Sequence, residues 1–251
     1  MSLNQGKRGK LWKSIKLFNT HIGGRPQNED TVYSRVLNSQ TAFAIIADGL
    51  GGQGGGSAAS QIAVKNLAAC EGCQGLPSPD QIMAWMHSAN QEIRANRVND
   101  SQMKSTAVFL SIFGNQAIWA HIGDSRLYHF VNGRLQDVTL DHSVGQIQGA
   151  SQGLSRDQIA LSPQRNFIVR ALGDDALNPE IHPPVQLTPG RHAFLLCTDG
   201  LWQYLREDEI WLDLLKSPNP DAWITYLRCR AEGRKDESSD NNSAIALWAD
   251  V

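Results

Sequence analysis

Four aspartates in this 251-residue chain share one setting. Asp48 in "ADGLGG", Asp124 in "IGDSR", Asp199 in "TDGLW" and Asp240 in "SDNNSAI" each stand where a short apolar run meets a turn. One aspartate at a strand end is ordinarily a turn former bonded to its own backbone. Four suggest convergence, because strands packed side by side bring their ends together. Two unit charges ~4 Å apart repel by several kcal/mol at an intermediate effective dielectric, so a cation must stand among them. Hard oxygen ligands without a matching set of His or Cys select Mg²⁺ or Mn²⁺ over zinc. Upstream, "GGRPQNED" adds Glu29 and Asp30 as further oxygen ligands, with Arg25 beside them. A guanidinium grips two oxygens of a phosphate in a fork that a lysine cannot form. Carboxylates, divalent cations and one arginine together make a phosphoryl-transfer site.

The residues after Asp48 offer a competing chemistry. Gly49, Gly51 and Gly54 satisfy G-x-G-x-x-G between a strand-like and a helix-like segment, as in dinucleotide-binding turns. That arrangement needs an acidic residue about 20 positions on, at the end of a second strand. Glu71 has the count, but it follows a run of helical periodicity and sits in the turn-like "CEGCQG". No Walker lysine is present, and Asp48 itself would repel a pyrophosphate unless a cation intervened. The glycines instead let backbone approach a cation closely.

The elements that must position these groups are short. "AFAIIA" and "RHAFLLC" are strands ending at Asp48 and Asp199, and residues 107–140 contain four β-rich runs separated by "GN", "GDS" and "NG", the pattern of an antiparallel meander. Helical periodicity marks 55–69, "PDQIMAWMHSANQEIRANRV", and segments near 207–215 and 221–232. Residues 142–170 are polar and weakly periodic, an excursion from the core that could act as a flap. Helices in two blocks around clustered strands indicate an α+β fold.

Composition bounds the alternatives. A hydrophobic content of 41% supports one substantial core. Lys and Arg number 23 against 25 acidic residues, a net charge of −2, which gives no global field for nucleic acid. The apolar runs are far shorter than the ~20 residues that span a bilayer, and the start, "MSLNQGKRGKLWKSIKLF", lacks a signal-peptide core. The expectation is a soluble, cytoplasmic, monomeric protein with a mobile tail over 1–16 and a single domain over 17–251. Cys70 and Cys73 form a lone C-x-x-C without a second ligand pair, and no cysteine has arginine six positions on, which argues against a cysteine-nucleophile phosphatase.

The ordered set "RPQNED", "ADGLGGQGGG", "STAVFLSIFGNQAIWAHIGDSRLY", "DHS", "SPQRNFIVRALG", "CTDGLW" and "DNNSAIAL", covering residues 17 to 249, resembles the metal-dependent PP2C (PPM) family of protein Ser/Thr phosphatases in its compact bacterial form. The resemblance implies an αββα sandwich with two antiparallel sheets between helix pairs. It implies that Asp48 bridges two Mn²⁺ or Mg²⁺ ions, that Gly49 contributes its carbonyl, that Glu29 serves one ion, and that Asp199 and Asp240 serve the other. Asp124, with Asp199, would hold a weaker third ion. Arg25 would clamp the substrate phosphate and Asp30 orient the attacking water, which the two ions hold between them and which displaces Ser or Thr without a phosphoenzyme. Phosphorylated proteins are the implied substrates and a bacterial Ser/Thr kinase the implied opposing partner; a pseudophosphatase acting as a binding module is the alternative.

The departures are specific. Leu50 and Gln53 stand where family members carry a histidine that protonates the leaving group, leaving His21 and His142 as candidates. Gln203 replaces an acid that supports the third ion, and Gly55, Gly56 and Ser57 replace the usual Gly-Glu, with an expected effect on loop rigidity.

Overall fold

The computed structural model describes residues 25–51, 55–97 and 102–251, together with the backbone of 12–20. Two antiparallel sheets are stacked face to face. The first is built from β1 (Trp12–Thr20), β8 (Arg126–Val131), β9 (Arg134–Val138), β12 (Arg191–Cys197) and β13 (Asn242–Asp250), in the order β1-β13-β12-β8-β9. The second contains β2 (Thr31–Val36), β3 (Thr41–Ala47), β6 (Ala107–Phe113), β7 (Gln116–Ile122) and β10 (Glu180–Ile181), in the order β10-β7-β6-β3-β2, with β11 (Val185–Gln186) also on β7. A two-stranded ribbon, β4 (Gly49–Leu50) with β5 (Lys104–Ser105), extends from the second sheet.

The apolar runs are continuous because both faces of the central strands are covered. In β3, Ala42, Ala44 and Ile46 join Val108, Leu110, Phe194, Ile245 and Leu247 between the sheets. The alternate residues Phe43, Ile45 and Ala47 face α1 (Gly55–Leu67) and α2 (Pro79–Ala95), meeting Ala63, Leu67, Ile82 and Met86. On the other side Tyr128, Phe130, Leu195 and Trp248 meet α5 (Asp199–Trp202), α6 (Glu207–Lys216) and α7 (Pro220–Glu232) through Trp202, Ile210, Trp223 and Leu227. This is the expected four-layer αββα arrangement. α3 (Val144–Ser151) and α4 (Arg156–Ala160) lie in the excursion that follows β9.

Two features differ from the sequence expectation. The four runs of 107–138 do not form one meander: β6 pairs with β7 in one sheet and β8 with β9 in the other. The crossing falls at Gly123, whose φ of +99° is open to glycine and whose missing Cβ would lie 2.6 Å from Thr106 Cγ2. The strand β1 begins at Trp12, inside the span expected as tail. Its backbone pairs residue by residue with β13 from Trp12↔Asp250 to Thr20↔Asn242, and such a ladder holds the chain irrespective of its basic composition. Residues 1–11 lie outside the described part. All four cysteines are free.

Candidate active site

The strand ends gather the predicted residues on one rim of the sandwich. β2 and β3 are antiparallel with Thr31 opposite Ala47, so Glu29 and Asp30, just before β2, lie beside Asp48, just after β3. β12 and β13 are antiparallel with Cys197 opposite Ala244, which sets Asp199 beside Asp240. Asp124 arrives from the end of β7, next to Thr106 at the start of β6.

Hydroxyl groups fix the carboxylates. The backbone N–H of Asp48 donates to Thr106 Oγ1 at 3.0 Å, and its carbonyl accepts from the Thr106 N–H at 2.9 Å. Thr106 Oγ1 lies 2.8 Å from Ser125 Oγ, tying the Asp48 turn to the Asp124 turn. Thr198 Oγ1 donates to Asp30 Oδ2 at 3.0 Å and accepts from the Ser243 N–H at 3.0 Å, joining the starts of β2 and β13 to the end of β12. Trp202 Nε1 donates to the Asp124 carbonyl at 2.9 Å. The Glu29 N–H donates to Asn241 Oδ1 at 2.8 Å. None of Thr106, Ser125, Thr198, Asn241 and Ser243 was singled out from sequence. A Thr or Ser bordering an apolar strand is common, and only its position beside an Asp could have marked it.

Glycine is required where Glu29 meets the Asp48 turn. A Cβ on Gly49 would lie 2.1 Å from the Gly56 carbonyl oxygen, and one on Gly56 would lie 2.8 Å from Glu29 Cδ. The first amides of α1, at Gly56 and Ser57, bond the Glu29 carboxylate and pull its pKa down, although burial prevails and leaves it raised. The Gly55-Gly56-Ser57 departure therefore also bears on a carboxylate of the rim, beside the effect on loop rigidity that the sequence leads one to expect.

The electrostatics is that of a site built for cations. Asp30 is pushed up to about 7 and Asp199 to about 6, in both cases first by burial and then by neighbouring carboxylates. Asp48 and Asp124 are raised well above the usual range, again by burial first and then by the other aspartates. Asp30 Oδ1, Asp124 Oδ1 and Asp199 Oδ1 are shut off from solvent without a hydrogen-bond partner. Buried polar atoms are nearly always paired, and three acceptors orphaned together fit divalent oxygen-loving ions. Arg25, exposed at the mouth, pairs with Asp240 Oδ2 at 2.7 Å.

The remaining candidates fall elsewhere. His142 Nδ1 accepts the Gly123 N–H at 3.2 Å, so the proton of the neutral ring is on Nε2, which faces Glu180 Oε2 at 3.8 Å. Burial pushes this histidine down to about 3. Turned toward Glu180, it does not supply the general acid; His21 and Gln53 lie outside the described residues. His121, His142 and Glu180 offer ligand atoms within 4.8 Å of one another. The two rings are stacked at 4.5 Å and 22°, so their lone pairs run nearly parallel, and the proton occupies the His142 nitrogen that a metal would need. Gln203 Oε1 accepts from Arg165 at 2.8 Å.

A sandwich whose strand ends converge buried carboxylates beside an arginine defines a phosphoryl hydrolase that works through divalent cations. The family model for protein phosphatase 2C matches residues 19–228, and the chain belongs to that family. It is 31% identical over 206 residues to the protein phosphatase PhpP of Streptococcus pneumoniae, covering 79% of this chain and 82% of that one. It is 30% identical over 201 residues to the serine/threonine phosphatase stp of Listeria welshimeri, covering 77% and 79%. Among solved structures, the serine/threonine phosphatase PstP/Ppp of Mycobacterium tuberculosis superposes with a TM-score of 0.79 at 26% identity, over 94% of this chain and 97% of that one. The chain is thus a metal-dependent protein Ser/Thr phosphatase with phosphoproteins as substrates. No helix among the described residues is long and apolar enough to cross a membrane.

Proposed function

We propose that the chain is a single phosphatase domain, from Trp12 onward, that hydrolyses phosphoserine and phosphothreonine on cytoplasmic proteins as a monomer and opposes a bacterial Ser/Thr kinase. The three orphaned carboxylate oxygens of Asp30, Asp124 and Asp199 carry the assignment of the site. Asp48, central among the repelling aspartates, would be shared by two Mn²⁺ or Mg²⁺ ions with help from the Gly49 carbonyl, Glu29 would serve one ion, and Asp199 and Asp240 would serve the other. Asp124 and Asp199 would hold a third, weakened because Gln203 is neutral and engaged by Arg165. When bound, such ions polarise phosphoryl oxygens and acidify water.

The chain's own groups do the rest. Arg25 sits at the mouth with most of its donors free of Asp240, and takes up the phosphate dianion through a bidentate fork. Asp30 has one oxygen fixed by Thr198 and the other free, so Oδ1 orients the attacking water and accepts its proton. A solved structure in the same fold class at 24% identity is described as a complex with 2 manganese ions, in keeping with two core sites. Every residue of the ligand set is present, and no observation favours the binding-module alternative.

The test is phosphate release from a phosphothreonine peptide by the purified protein in Mn²⁺, in excess chelator, and with Asp199→Asn in Mn²⁺. Mn²⁺-dependent turnover that chelator abolishes and the substitution lowers by about three orders of magnitude is expected, several kcal/mol of transition-state stabilisation being at stake. Equal turnover in chelator, or none from folded protein that binds Mn²⁺, would sink the proposal.

A further inference from the structure

Next to the Asp124 turn lies a buried ion pair to which the reaction assigns no part. Arg126, the first residue of β8, donates from Nε to Asp141 Oδ1 and from Nη2 to Asp141 Oδ2, both at 2.7 Å, and from Nη1 to the Tyr128 hydroxyl at 3.1 Å. The two charged side chains are only 6% and 1% exposed, so water does not screen the fork. Arg126 Cζ lies 3.5 Å from the centre of the Trp202 ring, whose Nε1 in turn holds the Asp124 carbonyl. A full positive charge is thus enclosed two residues from a carboxylate of the rim, and Asp141, between β9 and α3, is the anion that meets it. Both charges reach Asp124. After burial and the Asp199 carboxylate, Asp141 raises the Asp124 pKa while Arg126 lowers it. The place of the turn itself is fixed by other bonds: the His142 N–H donates to the Gly123 carbonyl at 2.9 Å, the Gly123 N–H to His142 Nδ1, and Ser125 Oγ meets Thr106 Oγ1.

We infer that Asp141 is the internal counter-ion of Arg126, keeping that cation paired so that the Asp124 carboxylate stays free for the third divalent ion. The inference rests on the third-ion reading of Asp124. An arginine does not deprotonate in a protein, so without Asp141 its charge would persist and its field would fall uncompensated on Asp124. Asp124 Oδ1, which lacks a hydrogen-bond partner, is the acceptor exposed to that field. A divalent ion carries twice the charge of the proton it displaces from a carboxyl. An added positive field therefore opposes the ion more than it assists the loss of the proton, and binding weakens. Asp141 and Arg126 are positioning residues in this scheme, acting on the charge around Asp124 and not on the reacting atoms. The core ions do not use Asp124 and are affected less.

The experiment is Mn²⁺ uptake by the full chain, followed through the free-ion EPR signal, in the wild type, in Asp124→Asn, in Asp141→Asn and in the double variant Arg126→Met/Asp141→Asn. The wild type should take up two tight ions and a weaker third, and Asp124→Asn should lose the third. Asp141→Asn should weaken the third about 10-fold and leave the tight ions within about 2-fold. The double variant, in which methionine packs on Trp202 and no charge remains, should return the third ion to within about 2-fold of the wild type. Loss of a merely structural bond would not be repaired in this way. A third ion indifferent to Asp141→Asn, or as weak in the double variant as in the single one, overturns the inference and leaves the third-ion reading standing. No weaker ion in the wild type, or one that survives Asp124→Asn, overturns both. Should Asp141→Asn fail to fold, the double variant decides alone: wild-type uptake of the third ion supports the inference and its loss overturns it.

Discussion

The carboxylate rim and the edge of the sandwich where β9 faces β10 both bury titratable side chains, and they settle them in opposite ways. At the β9–β10 edge the groups are histidines. His192 Nε2 donates to the Thr188 carbonyl at 2.9 Å, which makes its Nδ1 the acceptor for the His129 Nε2–H at 3.0 Å. His121 Nε2 donates to the Leu140 carbonyl at 2.8 Å. These rings are neutral, pack tilted against Trp119, stack on Phe194 and other histidines, and end their hydrogen bonds on backbone. At the rim the groups are acids with orphaned oxygens and mutual repulsion. Burial alone therefore does not mark a functional site. What distinguishes the rim is charge left without an internal partner, which only an external cation can satisfy.

The sharpest way to break this contrast is to remove a support that serves only the rim. Thr198→Val removes the hydroxyl that fixes Asp30 Oδ2 and anchors Ser243 while keeping its shape. Turnover in saturating Mn²⁺ should fall about 10- to 100-fold, as for other groups that orient ligands, with little change in KM for the phosphopeptide. Unchanged kcat would show that the carboxylates are placed without it.

Thermal unfolding against pH reads both regions at once. The folded-state pKa values of Asp30 and Asp199, about 7 and about 6, lie above the ordinary 3.8, so in chelator the folded state holds protons that the unfolded chain releases. Stability from this region is greatest below ~4 and declines as pH rises toward 7. Mn²⁺ should cancel the decline, raising Tm more at pH 7.5 than at pH 5, by several degrees. Equal shifts at the two pH values would mean that metal and protons do not compete for the same oxygens.

The histidines carry the reverse sign. His129 and His142 are pushed down to about 3, so the unfolded chain takes up protons first, and their contribution to stability is full above ~6.5 and wanes as pH falls from there. His129→Gln should flatten this acid limb by ~3 °C between pH 6.5 and 4.5 while leaving turnover unchanged, since His129 touches nothing on the rim. An acid limb as steep as before would place its origin elsewhere.

Much of this was legible in the sequence because the rim residues sit at strand ends, where apolar runs stop abruptly. "AFAIIA" before Asp48 and "AFLLC" before Asp199 announce both the strand and the point at which it leaves the core. The α+β class and the paired helices followed from periodicity. Less could be seen where two registers compete. The β6–β9 runs look like one meander because hairpin turns and the Gly123 sheet switch use the same residue types, and only the packing of Thr106 against Gly123 separates them. The hydroxyls of Thr106 and Thr198 were invisible for a related reason: they act on a neighbouring strand and on the facing sheet, 58 and 168 positions from the aspartates they hold. Gly56 read as loop because nothing in its neighbourhood reveals Glu29 against it.

The pairing of β1 with β13 sets an order of events during synthesis. Among the described residues β1 is the earliest strand in the chain, and its one neighbour in the sheet is the latest, β13, which lies between β1 and β12. Until β13 is translated, β12 lacks a flank, β1 is an unpaired edge, and Asp240 is absent from the rim. Contacts of such sequence separation form late and slowly, so β1 stays an unpaired edge through most of folding.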